Sequence, residues 1–91
     1  MKTIRKYYID GCFHCKRIEK TYEELKKKFD GLIDFQSLKV NDKDTEKEYN
    51  LSIYPTVCVY DEDCEEINRI SGVIPPKDLE KFVEKEFAKG E

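Results

Sequence analysis

The chain reads as an α/β protein of element order βαβαββα, with a four-stranded mixed sheet flanked by helices. Three observations predict it. Short runs rich in β-branched and aromatic residues alternate with stretches in which apolar residues recur every three or four positions. The first of those stretches lies between two strand-like runs, so these strands are expected to be parallel, joined by a right-handed crossover. Two later runs are separated by an acidic turn and are expected to pair as a hairpin.

The first strand is read over Ile4 to Ile9, an apolar and aromatic run stopped by the turn pair Asp10-Gly11. From Cys12 to about Phe29, the residues Cys15, Ile18, Tyr22, Leu25 and Phe29 are spaced by three and four, with Lys and Glu between them. That is an amphipathic helix, closed by Asp30-Gly31. Ile33 to Val40 alternates apolar and polar over most of its length and reads as a second strand with one face buried, ended by Asn41-Asp42. A short helix follows from about Asp44 to Asn50, with Tyr49 and Leu51 as its apolar contacts.

Thr56 to Tyr60, the turn Asp61 to Glu65, and Ile67 to Ser71 form the predicted hairpin, which Gly72 ends. After Pro75-Pro76, the positions of Leu79, Phe82, Val83, Glu86 and Phe87 describe a last helix, with Pro76 in its first turn, where a missing N–H does no harm. The hairpin's first strand is expected beside strand one and antiparallel to it, leaving strands two and four at the edges. Helices would cover both faces. With 91 residues the chain has room for one core, so residues 1–91 are read as a single domain.

Charged residues make up 41% of the sequence, yet 17 basic and 20 acidic side chains leave a net charge of only -3. This balance argues against nucleic acid as the main partner. Lys2, Arg5 and Lys6 could imitate a charged leader, but they are not followed by the apolar stretch of about 7–15 residues that a signal peptide needs. No run is long enough to span a membrane. The expected compartment is the cytoplasm, where thiols are kept reduced and cysteine pairs are more often catalytic or metal-binding than structural.

Four cysteines in such a chain invite a chemical reading. Gly11-Cys12-Phe13-His14-Cys15 falls where the first strand gives way to a helix, and a CxxC near a βαβ pattern is a redox signal. A thiol at a helix N-terminus faces unpaired backbone N–H groups and the positive end of the helix dipole, which stabilise thiolate and lower its pKa below the free value of about 8.5. Cys12 gains most and is the expected nucleophile. Cys15, one helical step inside, is the expected resolving thiol that attacks a mixed disulfide formed on Cys12. Other readings of the pair are two ordinary buried cysteines or a metal-binding module for copper, zinc or an iron–sulfur cluster. The proline in Ser52-Ile53-Tyr54-Pro55-Thr56 reads either as a simple strand start or as a cis bond.

Taken together, Cys12-Phe13-His14-Cys15-Lys16 after a strand, Ile53-Tyr54-Pro55-Thr56 before one, and Gly72 ahead of Leu79 and Phe82 resemble the thioredoxin family over nearly the whole chain. The extra N-terminal strand and helix of full-length thioredoxins are missing, so in size and order the chain is similar to a glutaredoxin and implies a minimal thioredoxin fold. By motif it leans to thioredoxin, because Pro55 is followed by Thr56 and the usual glutaredoxin elements are absent. The resemblance implies that Pro55 is cis and packs against the active-site sulfurs, and that the Tyr54 backbone is offered to an extended substrate strand. Phe13, His14, Lys16, Tyr54 and Thr56 would then be supporting residues.

Three positions depart from the family pattern. Gly11 replaces the usual Trp, Phe13-His14 the familiar Gly-Pro, and Lys6 the buried acid. Lys6, Glu19 or a water is therefore expected to help deprotonate Cys15. His14 resembles the histidine before the second cysteine of disulfide isomerases; protonated, it would stabilise the Cys12 thiolate and make the protein more oxidising than thioredoxin's poise near about -270 mV.

The remaining candidates read more plainly. Cys58, between two valines in a strand, is expected to be core filler, and Cys64 lies in an acidic turn unsuited to a reactive thiol. Of the tyrosines Tyr7, Tyr8, Tyr49 and Tyr54, only Tyr54 is assigned a part in a substrate groove; Lys26-Lys27-Lys28 is a solvated helix face. The expected activity is thiol–disulfide oxidoreduction with no cofactor beyond the Cys12–Cys15 disulfide. Its substrate would be a disulfide-containing protein or small molecule, its electron donor a reductase or glutathione, and the protein would act as a monomer without nucleic acid or membrane.

Overall fold

A computed structural model describes residues 1–89. It contains β1 (Lys2–Tyr8), α1 (Phe13–Lys28), β2 (Ile33–Lys39), α2 (Lys43–Tyr49), β3 (Thr56–Tyr60), β4 (Glu66–Ser71) and α3 (Pro76–Lys89). The strands form one sheet in the order β2-β1-β3-β4. β1 and β2 are parallel, with Lys2 opposite Ile33 and Tyr8 opposite Lys39; β3 is antiparallel to both β1 and β4. The expected α/β architecture and its edge strands are as predicted.

Element ends differ by one or two residues from the sequence reading. β1 begins at Lys2 and stops at Tyr8, because Thr3 pairs with Asp34 and Tyr60 while Ile9 lies beyond the ladder. Cys12 and Phe29 are the caps of α1 and not part of its body. α2 starts at Lys43, since the Asp42 carboxylate accepts from the Thr45 N–H at 2.7 Å and so caps the helix, and it ends at Asn50, which is left-handed. Pro76 is the first residue of α3.

One expectation is corrected. β2 does not present all its apolar residues to one face: Ile33 and Phe35 join the cluster under α1 and α3, whereas Leu38 and Val40 join the cluster on the opposite face. Alternation places residues of odd and even number on opposite sides, and both sides of this sheet are covered.

The larger core lies between the sheet and α1 with α3. Ile4, Val57 and Val59 from the central strands meet Ile18, Tyr22 and Leu25 of α1 and Leu79 and Val83 of α3. On the other face Tyr7, Cys58 and Tyr60 pack with Val40, Leu51, Tyr49 and Tyr54. There the Arg5 guanidinium lies over the rings of Tyr7, Tyr49 and Tyr60 and donates to the Tyr7 hydroxyl, which in turn hydrogen-bonds the Tyr60 hydroxyl. Burial raises the pKa of Tyr7 and Tyr60, and pushes the Cys58 thiol up to about 11.

No helix among the described residues is long and apolar enough to cross a membrane.

Candidate active site

The register of the central strands gathers the chemistry at one end of the sheet. Tyr7, near the end of β1, pairs with Thr56, the first residue of β3. The segment leading from β1 to Cys12 and the segment bearing Pro55 therefore leave the sheet side by side. Thr56 also pairs with Ser71, and the Gly72 N–H donates to the Pro55 carbonyl at 3.0 Å, which brings the end of β4 to the same place.

Gly11 makes the turn into α1 with φ of 70°. Nothing lies within 4 Å of where a Cβ would project, so this position selects glycine by backbone conformation and not by space. That is a local reason for glycine at position 11. Before it, Asp10 forms an ion pair with Lys39 at 2.7 Å, and the Tyr8 carbonyl accepts from Val40 at 2.8 Å.

Cys12 is the N-cap of α1, and its sulfur accepts a hydrogen bond from the Cys15 N–H at 3.1 Å. One N–H of the first helical turn is thus aimed at this sulfur. Cys12 and Cys15 form a disulfide with their Cα atoms 5.2 Å apart. Cys15 is 3% exposed whereas Cys12 is half-buried, so an incoming group meets Cys12 first.

Phe13 is 72% exposed, and its ring meets the His14 ring edge-on at 5.5 Å. His14 is half-buried and its Nδ1 is buried without a hydrogen-bond partner among the described residues. The imidazole is therefore not the fully solvated group that its place at a helix start permits. The Lys16 side chain is exposed; within the site only its N–H is engaged, donating to the Cys12 carbonyl.

The Tyr54-Pro55 bond is cis, and Pro55 is buried. Thr56 is buried as well, with its hydroxyl donating to the Ile53 carbonyl at 2.6 Å. The Tyr54 side chain does not stand free in a groove: its hydroxyl donates to Glu46 of α2 at 2.7 Å, and its ring packs in the cluster on that face. Burial, and then the Glu46 carboxylate, push the Tyr54 phenol up to about 12. Among the described residues no hydrogen bond engages the Tyr54 backbone.

Lys6 is 6% exposed on the α1 face of β1, with its ammonium over the rings of Tyr22 and Tyr8 at 4.8 and 5.4 Å. Burial lowers its pKa, opposed by Glu19 and Glu23. Cys58 is buried in β3, Cys64 is exposed, and both are free thiols. Among the described residues no three His, Cys, Asp or Glu side chains are placed to share a metal ion, so a metal on the CxxC pair would need ligands from elsewhere.

Sequence reasoning missed three features of the site. Glu46 anchors Tyr54 across eight residues with no periodic relation to signal it. Gly72 reads in the sequence as a strand end and as part of the family pattern, but neither reading shows that its N–H holds the Pro55 carbonyl. Ile53 and Val73 are exposed apolar residues flanking Tyr54 and Gly72, respectively.

The family model for thioredoxin matches residues 2–85. Among solved structures, the chain is similar to thioredoxin from Plasmodium falciparum, at 24% identity and a TM-score of 0.80 over 92% of this chain and 80% of that one. The solution structure of oxidised thioredoxin from the same organism matches at 25% identity and 0.80, covering 92% and 79%. The structure of a malarial protein matches at 16% identity and 0.74, covering 93% and 96%, which speaks to the fold alone. A search of curated proteins finds no match. The family match across residues 2–85, joined to a CxxC pair at disulfide distance, supports thiol–disulfide oxidoreduction as the general activity, and the chain belongs to the thioredoxin family.

Proposed function

We propose that this protein exchanges its Cys12–Cys15 dithiol with disulfides of proteins or small molecules, Cys12 acting as nucleophile and Cys15 as resolving thiol. The observation that carries this reading is the placement of Cys12: a partly accessible sulfur at the N-cap of α1, already accepting the Cys15 N–H, beside a buried Cys15. The same N–H favours thiolate over thiol when the pair is reduced.

In the forward direction the Cys12 thiolate attacks one sulfur of the substrate disulfide. A Cys12–substrate disulfide forms, the substrate S–S bond breaks, and the first substrate thiolate leaves and takes up a proton. Deprotonated Cys15 then attacks the Cys12 sulfur, re-forming Cys12–Cys15 and releasing the second substrate thiolate. Two electrons pass from protein to substrate. A dithiol reductase or two molecules of glutathione return them, and no further cofactor takes part.

His14 lies directly before Cys15 in the chain, and its Nδ1 makes no hydrogen bond among the described residues. Protonated, it favours the reduced state, which makes the protein more oxidising than thioredoxin. The Tyr54 backbone, free of internal partners, is the edge on which an extended substrate strand is held, with Pro55 contributing no competing N–H. The protein works as a monomer in the cytoplasm, where its reductants are found, without nucleic acid or membrane.

The test is a redox titration of metal-free protein against glutathione and dithiothreitol, with Cys15→Ser run in parallel. A reversible two-electron couple between about -270 and -180 mV, and mixed disulfides trapped on Cys12 in the variant, are the expected results. Absence of any couple, with stoichiometric metal held by both thiolates, would replace the proposal with the metal-carrier reading.

A further inference from the structure

The segment Ile53 to Thr56 is tied from three directions. The Thr56 hydroxyl reaches back to the Ile53 carbonyl, the Gly72 N–H holds the Pro55 carbonyl, and the Tyr54 hydroxyl reaches across to Glu46. The first two ties come from residues within or next to the strands. The third comes from α2, a helix with no fully buried residue.

α2 is nonetheless secured at both ends. Asp42 caps its start, and the Arg69 guanidinium of β4 donates to the Tyr49 and Asn50 carbonyls at 2.9 and 3.0 Å while gripping Glu66. Glu46 thus projects from a fixed base. Its carboxylate holds Tyr54, whose backbone makes no hydrogen bond among the described residues.

A charge-assisted hydrogen bond at 2.7 Å from a part-buried hydroxyl fixes the Tyr54 ring, and a fixed ring fixes the backbone that carries it. Neither Glu46 nor the Tyr54 hydroxyl is a neighbour of the sulfurs in sequence or in any contact of the site. Their effect should reach only substrates that use the Tyr54 backbone.

We infer that Glu46 is a positioning residue for polypeptide substrates, acting through the Tyr54 hydroxyl, and that it separates two substrate classes: extended chains bearing a disulfide, which need the Tyr54 backbone, and small disulfides, which need only Cys12. The inference rests on the disulfide-exchange reading given above. It adds that recognition of a polypeptide and chemistry at the sulfurs are carried by separate groups.

The experiment compares wild-type protein with Glu46→Ala, Glu46→Gln, Tyr54→Phe and the double variant Glu46→Ala/Tyr54→Phe. The substrates are an extended peptide containing one disulfide and bis(2-hydroxyethyl) disulfide. Tyr54→Phe removes only the hydroxyl and keeps the ring packing, so it remains informative if a Glu46 variant folds poorly. For the peptide, KM should rise about tenfold in Glu46→Ala and Tyr54→Phe, less in Glu46→Gln, which keeps an acceptor oxygen, and no further in the double variant. In Glu46→Ala and Glu46→Gln, rates with the small disulfide, and the reduction potential, should stay at wild-type values.

An unchanged peptide KM in Tyr54→Phe would overturn the inference, as would equal losses on both substrates or additive losses in the double variant. If wild-type protein reduces neither substrate, it is the disulfide-exchange reading that fails. If it reduces both and the variants do not discriminate between them, only the inference about Glu46 fails.

Discussion

At the scale of single residues, burial and accessibility divide four chemically identical thiols into different roles. Cys12 and Cys15 are joined, Cys58 is enclosed with its pKa pushed up to about 11, and Cys64 stands exposed. A thiol reagent at neutral pH should therefore label the oxidised native protein at Cys64 alone, and Cys58 as well once urea is added; peptide mapping of the labelled protein checks this. Lys6 offers a second residue-scale test. Its charge is buried, and burial lowers its pKa from 10.5, so the charged form costs stability at neutral pH. Lys6→Met should raise stability by about 1 kcal/mol at pH 7. Because the wild-type penalty fades as pH rises through the lowered folded value towards 10.5, that gain should shrink with alkalinity, as urea unfolding across the range would reveal.

Among the elements, α2 shows most clearly how a helix can be held by its ends instead of by a buried face. Asp42→Ala removes its N-cap and should cost about 1 kcal/mol in chemical unfolding. Arg69→Ala frees the Tyr49 and Asn50 carbonyls, and its signature should be faster hydrogen exchange confined to α2. Little of this was legible in the chain. The spacing of Tyr49 and Leu51 announces a short helix after Asp42, but Arg69 lies two strands further on, and nothing in its own neighbourhood marks it as a helix cap. α1 is the opposite case. Its buried residues Cys15, Ile18, Tyr22 and Leu25 are the ones that the three-and-four spacing selects, because one helix face packed on a flat sheet leaves a periodic trace.

For the molecule as a whole, both faces of the sheet enclose groups that resist losing a proton. Tyr7, Tyr22, Tyr60 and Cys58 all have pKa values raised by burial. The folded state thus keeps protons that the unfolded chain has already released, so this contribution to stability is full below about pH 8 and falls as pH rises through the range where free thiols and phenols ionise. Urea midpoints at pH 7, 9, 10 and 11 would give the profile, and Cys58→Ala should move its onset upward towards the tyrosine range. A midpoint unchanged up to pH 11 would contradict the buried hydroxyl network of Arg5, Tyr7 and Tyr60.

The sequence by itself determined the α/β class, the βαβαββα order, the pairing of strands and the position of the CxxC pair at a helix start. These follow from local patterns: alternation, helical spacing, turn residues and a motif four residues long. Tertiary structure alone decided which face each apolar residue of β2 would take, why glycine stands at position 11, that His14 keeps a buried and unpartnered nitrogen, and that Glu46 holds Tyr54. Apart from the local backbone turn at Gly11, these depend on how segments distant in the chain come together. Such contacts form because the sheet is covered on both sides, and a covered sheet erases the one-faced pattern from which a sequence is read.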